Sequence, residues 1–277
     1  MVSLVVPGSS EKMLAKARGL AVSELVIDLE DAVVADRKAE ALGLTVQALA
    51  VGGFAASRVA VRLNPVGSAW IDAELEGLAG AAVRPDSIVV PKVSGPSDLS
   101  AVSCGIAIQA LIETAVGLAA VREIAAVGAG GSLEAVILGY ADLAVSLGRT
   151  AAGAGDLDLW LAVQETVLVA ARAAGIRAID GPFLTIADVD GLSASASRAA
   201  QLGFDGKWAI HPAQVAPIVS AFRPPAEAVR RAREVIAVLA RAESHGAGAV
   251  EHDGLMIDEP VRLAALRTLA LAGESAP

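Results

Sequence analysis

Short β-branched runs alternate with longer Ala- and Leu-rich stretches along most of this chain, and that alternation constrains the fold more than any other feature. The runs are Ser3–Val6, Leu25–Leu29, Arg58–Leu63, Ser87–Val93, Ile106–Ile112, Ala135–Leu138, Arg177–Ile179 and Lys207–Ile210. Each is short enough for a strand and mainly apolar, without a regular polar alternation, as strands of a parallel sheet covered on both faces are. The stretches between them have helical period. Ile71, Leu75 and Leu78 share one face of a helix near residues 70–78, and Trp160, Val163, Val167 and Ala171 share one face over 157–174. Eight strand–helix units in 277 residues predict an α/β protein with a closed (β/α)8 TIM barrel rather than an open doubly wound sheet. No Gly-x-Gly-x-x-Gly follows the first run, which argues against a dinucleotide-binding fold.

The pattern changes after Phe222. A helix starting near Pro225 carries Val229, Ala232, Ile236 and Leu239, and Gly248 to Asp258 reads as a hairpin turning at Asp253-Gly254. A last amphipathic helix follows Pro260. The expected organisation is a barrel over residues 1–222 and a C-terminal helix-and-hairpin lid over 223–277.

Composition narrows the class. The longest charge-free stretch, between Glu40 and Arg58, is broken by Gly43, Thr45, Gln47, Gly52 and Gly53, and falls short of the ~18 apolar residues of a membrane span. The first residues lack a basic region, so no signal peptide is expected. Cys104 is the only cysteine, which points to a reducing, cytoplasmic setting. A net charge of −9 without a basic stripe argues against nucleic acid as a partner.

In a barrel of this kind the chemistry sits where the strands end. Those ends carry Pro7-Gly8, then Asp28, Glu30 and Asp31, then Arg62 and Asn64, then Lys92, Glu113, Asp142, Asp180 and His211. Carboxylates converging from different strands suit a hard cation such as Mg²⁺, which takes one or two protein carboxylates and leaves positions for substrate oxygens. Three histidines and one cysteine argue against zinc. Each charge also has a plainer reading as a solvated ion pair on the rim. Lys92 and Asp180 are read that way, His211 before Pro212 as a loop anchor, and Asp258 ahead of Pro260 as a helix N-cap.

Taken together, several motifs make the chain resemble the citrate lyase β-subunit-like family, the HpcH/HpaI aldolases with their malyl-CoA and citramalyl-CoA lyase-like members. They are Leu4-Val-Val-Pro-Gly-Ser, Asp28-Leu-Glu-Asp-Ala-Val, Val61-Arg-Leu-Asn, Val90-Pro-Lys and Leu111-Ile-Glu-Thr-Ala. Gly139-Tyr-Ala-Asp-Leu-Ala, Ala178-Ile-Asp-Gly-Pro, Gly203-Phe-Asp-Gly-Lys-Trp-Ala-Ile-His-Pro and Gly254-Leu-Met-Ile-Asp continue the match nearly to the end.

The resemblance implies that Glu113 and Asp142 hold Mg²⁺, that Arg62 and Glu113 contact substrate, and that Glu30 and Asp31 orient metal-bound waters. It implies that Asp258, with Arg62, is catalytic, Asp258 being the acid/base carried on the lid. The family's usual N-terminal Arg-Ser pair is replaced here by Met1-Val2, which leaves Lys12 and Lys16 as the candidates for CoA binding. The implied reaction is magnesium-dependent cleavage or formation of a 3-hydroxyacyl-CoA such as malyl-CoA, citramalyl-CoA or citryl-CoA, giving acetyl-CoA and a 2-oxo acid. The implied assembly is a homo-oligomer, trimer or hexamer. Two rival readings stay open: a metal-dependent aldolase acting on free hydroxy-keto acids, and a citrate lyase β subunit that needs partner subunits.

Overall fold

The structure, a computed structural model, describes residues 1–150 and 157–274. Eight parallel strands close into a barrel: β1 (Val2–Pro7), β2 (Glu24–Asp28), β3 (Val59–Arg62), β4 (Ser87–Val90), β5 (Ala107–Ile112), β6 (Leu133–Leu138), β7 (Arg177–Asp180) and β8 (Gly206–Ala209). Each pairs with the next, and β1 closes the ring on β8 through Val2↔Lys207 and Leu4↔Ala209. All eight expected runs are strands, with ends displaced by at most three residues. The largest displacement has a local cause. The run expected to reach Val93 stops at Val90, because Pro91 has no N–H to give a ladder and Lys92 turns to φ 54°.

Strand residues alternate between the inside of the barrel and the helix layer. Val26, Ala60, Val89, Leu111, Ala135, Ile137, Ile179 and Trp208 form one buried cluster drawn from seven strands, which marks the inside. Two residues toward the strand starts, the same parity places a polar network. There Glu24 accepts from Ser3 Oγ at 2.9 Å and from Gln109 Nε2 at 2.8 Å, all fully buried. Two residues toward the strand ends, the parity places Asp28, Arg62 and Glu113 at the mouth.

The chain forms two compact units, the first over Met1–Val219 and the second from Ser220. The division falls inside the helix Val215–Phe222, a few residues before the expected boundary. In the second unit the helices Ala226–Ser244 and Glu259–Leu271 pack with the hairpin of β9 (Val250–His252) and β10 (Leu255–Ile257) around Val229, Val235, Leu239, Ile257 and Leu269. Asp253 and Gly254 both have positive φ, 50° and 77°, which a two-residue turn between right-twisted strands requires. No helix among the described residues is long and apolar enough to cross a membrane.

Candidate active site

Arg62 is the centre of the mouth. Its Nε and Nη2 both donate to Asp28, at 2.7 Å each, and Nη1 lies 2.8 Å from Glu30 Oε2. Asp28 itself is locked, since it also accepts the backbone N–H of Glu30 at 2.9 Å and of Ala32 at 3.1 Å. The guanidinium stacks 5.7 Å from the Trp208 ring centre. Burial alone would lower its pKa, but the Asp28 hydrogen bonds and the charges of Asp28, Glu30 and Glu113 hold it above the ordinary value. A fixed, permanently charged fork with N–H groups to spare is suited to a carboxylate or a developing oxyanion.

Glu30 is held from behind. Lys38, buried, donates to the carbonyls of Leu29 and Glu30 at 2.9 Å each, and Asn64 Nδ2 donates to Leu29 O at 3.0 Å. Burial raises the Glu30 pKa against the opposing effect of Arg62 and Lys92.

Lys92 occupies the middle of the acidic residues. Its ammonium bonds Glu30 and lies 3.9 Å from Asp31, 4.0 Å from Glu113 and 3.8 Å from Asp142. Its backbone N–H donates to Glu113 Oε1 at 2.9 Å. The left-handed backbone at Lys92, uncommon for a residue with a Cβ, is what aims both groups at the site. The rim reading of Lys92 is therefore corrected. Spacing could not show it, because the turn that redirects the chain is not encoded by a glycine.

Glu113 ends up buried beside like charge. Desolvation and the negative charge of Glu30 raise its pKa to about 8, against Lys92 and Arg62. It rests on Gly139, where a Cβ would come within 2.7 Å of both Glu113 Cβ and Oε2. Any side chain at 139 would displace the carboxylate. Three residues on, Asp142 stands in the first turn of the helix Tyr140–Ser146, its side chain 39% exposed.

These residues fit a divalent cation. All the donors are carboxylate oxygens, the set that Mg²⁺ prefers, and the cradle at Gly139 brings Glu113 to the turn that carries Asp142. Five carboxylates (Asp28, Glu30, Asp31, Glu113 and Asp142) face two cationic side chains (Arg62 and Lys92), so a further positive charge is electrostatically favourable.

The remaining candidates lie elsewhere. Lys12 and Lys16, both exposed, line a cavity of about 410 Å³ with Pro7, Ser10, Met13 and His211, at the ends of β1 and β8. His211 Nδ1 accepts from the Ala213 N–H at 3.2 Å, a loop anchor as expected. Asp258 belongs to the second unit, where its Oδ1 accepts from the Val261 N–H at 3.4 Å as the N-cap of the last helix. Asp180 is not a rim charge. It is fully buried, bonded to Lys207 and Tyr140 on the helix side of the barrel wall. Sequence reasoning gave no role to Lys38 or Gly139 and took Asp28 only as one of the strand-end carboxylates; Asp28 and Gly139 each open a motif already singled out, whereas Lys38 lies outside them all.

Comparison with known proteins places the chain in a family. Residues 2–212 match the family model described as HpcH/HpaI aldolase/citrate lyase. A protein of Cereibacter sphaeroides named (3S)-malyl-CoA thioesterase is 37% identical, over 97% of this chain and 93% of that one. The L-malyl-CoA/beta-methylmalyl-CoA lyase of Rhodobacter capsulatus is 34% identical, over 91% and 88%. The structure of CitE from Mycobacterium tuberculosis, in complex with magnesium, acetoacetate and coenzyme A, superposes with a TM-score of 0.83 at 33% identity, covering 99% of this chain and 98% of that one. With its barrel, its ring of strand-end carboxylates and these relatives, the chain belongs to the HpcH/HpaI aldolase/citrate lyase family of carbon–carbon lyases.

Proposed function

We propose that this chain is a Mg²⁺-dependent lyase that cleaves or forms a 3-hydroxyacyl-CoA, with malyl-CoA as the first substrate to try. The observation that carries the reading is the buried Arg62 fork beside Glu113, with Asp142 across the Gly139 cradle. Glu113 and Asp142 would hold the cation, with Glu30 and Asp31 accepting hydrogen bonds from the water around it. When bound, Mg²⁺ supplies Lewis-acid polarisation of the 2-oxo acid's oxygens.

The chain's own residues do the rest. In the cleavage direction the hydroxyl proton of the substrate passes to the Asp258 carboxylate, the bond between the hydroxyl-bearing carbon and the thioester α-carbon breaks to leave the 2-oxo acid's carbonyl, and its electron pair moves to the thioester as an enolate. Arg62 stabilises the enolate oxygen through N–H groups not used by Asp28 and Glu30. Asp258 delivers a proton to the α-carbon, giving acetyl-CoA. Lys12 and Lys16 take the CoA phosphates beside their cavity, where local positive charge opposes the net charge of −9.

A second reading, hydrolysis of the thioester, is favoured by the relative at 37% identity that is named a thioesterase. One assay separates them. Purified protein, with no partner subunits, is given malyl-CoA and Mg²⁺. The lyase yields a 2-oxo acid, trapped as its phenylhydrazone, in step with acetyl-CoA and without free thiol. Free thiol with no oxo acid overturns the proposal in favour of hydrolysis. Activity on free hydroxy-keto acids alone would make the chain an aldolase. Activity only when partner subunits are added would make it a citrate lyase β subunit.

The raised pKa of Glu113 makes a second measurement informative. The unfolded chain releases this proton near pH 4.5 and the folded protein keeps it until about 8. This group's contribution to metal-free stability is therefore fully present below pH 4.5 and lost as pH rises through 8. Mg²⁺ requires the ionised form, so binding near pH 7 is expected to release a proton and to tighten from pH 6 to 8. Calorimetry in two buffers of different ionisation enthalpy measures that proton. Binding without proton release, or the same release in Glu113→Gln, would refute the assignment.

A further inference from the structure

Tyr140 stands two residues before Asp142, in the same helical turn, and the proposed mechanism does not use it. Its hydroxyl donates to Asp180 Oδ1 at 2.5 Å and accepts from Gln164 Nε2 at 2.8 Å. The other oxygen of Asp180 takes Lys207 Nζ at 2.5 Å, and Lys207 also donates to Gly181 O at 2.7 Å. Trp160 packs edge-on against the Tyr140 ring, with centroids 5.0 Å apart. Tyr140, Asp180 and Lys207 are fully buried, and Gln164 is 1% exposed. Backbone contact reinforces the cluster, since a Cβ at Gly181 would fall 2.1 Å from Leu138 O and 2.8 Å from the Tyr140 ring.

A buried ion pair is weak evidence of a stabilising device, because apolar residues of the same volume often serve stability as well or better. What this cluster does do is geometric. It ties the first residue of the Asp142 helix to the end of β7 and the start of β8, on the helix side of the wall. On the inner side, the neighbouring Gly139 is pressed against Glu113. The turn over residues 139–142, which seats Glu113 at its start and carries Asp142 at its end, is thus clamped from both faces. Mg²⁺ demands near-ideal octahedral geometry at 2.0–2.1 Å, whereas Ca²⁺ accepts looser arrangements at 2.3–2.6 Å.

We infer that Tyr140, held by Asp180, Lys207 and Gln164, is a positioning residue that sets the spacing of the two carboxylates and so makes the site prefer Mg²⁺ to Ca²⁺. This rests on the reading that Glu113 and Asp142 hold the cation. Outer partners of metal ligands typically matter 10–100-fold in affinity. The experiment is equilibrium binding of Mg²⁺ and of Ca²⁺, each alone, to wild type, Tyr140→Phe and Gln164→Met. Gln164→Met leaves the ion pair whole and keeps the test available if Tyr140→Phe folds poorly. The expected result is Mg²⁺ affinity weakened about 10-fold in Tyr140→Phe, with Ca²⁺ affinity within about 3-fold of wild type, so that the Mg²⁺:Ca²⁺ ratio collapses. Gln164→Met is expected to move the ratio in the same direction by less. A ratio unchanged in both variants, or both affinities falling together, overturns the inference and leaves the carboxylate assignment standing. Wild type that binds neither cation overturns that assignment, and this inference with it.

Discussion

Glu113→Gln is expected to lower magnesium-dependent turnover by about 1000-fold while the protein stays folded. Two ligands cannot be reduced to one without losing much of the several kcal/mol that a bound cation gives to developing charge, and each tenfold in rate is about 1.4 kcal/mol. Glutamine isolates the charge better than alanine does. Its amide oxygen can still accept the Lys92 N–H that Glu113 Oε1 accepts at 2.9 Å, so no buried amide is orphaned. The sign of the stability change is a second check. Glu113 is held near pH 8 by burial and by Glu30, so in metal-free protein at pH 8 and above the neutral variant is expected to melt at a higher temperature than wild type. Near-normal rate and metal affinity in Glu113→Gln would remove this residue from the site.

Asp258→Asn is expected to lower turnover by about 100-fold with the fold and Mg²⁺ binding unchanged, the size of a lost general acid or base. The competing account is a real one. Asp258 has extended backbone, its side chain accepts from Val261 N–H at 3.4 Å, and Pro260 sits in the first turn, all as an N-cap requires. Asparagine caps a helix about as well as aspartate, so an N-cap role predicts a melting temperature and a rate close to wild type. The two roles therefore part on turnover alone, and full activity would leave Asp258 as a cap only. Mixing inactive Asp258→Asn with inactive Glu113→Gln chains is the follow-up. Partial recovery of activity shows that a homo-oligomer completes each site with an Asp258 from a neighbouring copy.

Much of the fold was legible in the order of the residues. Strand identity follows from short apolar runs, helix identity from a 3.6 period, and the hairpin from Asp253-Gly254, because each is a property of a few adjacent residues. The count of strands then implied a barrel, and the barrel implied that the charges closing its strands share one mouth. Arg62, Glu113, Glu30 and Lys92 do meet there.

Which charges would meet which was a different matter. Asp28 and Asp180 look alike in the sequence, each an aspartate closing a run of apolar residues. Asp28 shares parity with Val26 and points inward to Arg62, while Asp180 follows the inward Ile179 and points outward to Lys207 and Tyr140. A strand buried on both faces has no polar alternation to declare which side is which, so its parity is invisible until the barrel closes. Lys92 was hidden for a related reason, since only its backbone at φ 54° turns a rim position inward. The sequence by itself determined the barrel, its eight units and most of the charged groups that close its strands, because those depend on local periodicity. The tertiary structure alone decided the Asp28–Arg62 fork, the place of Lys92 among four carboxylates and the burial of Asp180, because those depend on strand parity and on closure between residues far apart in the chain.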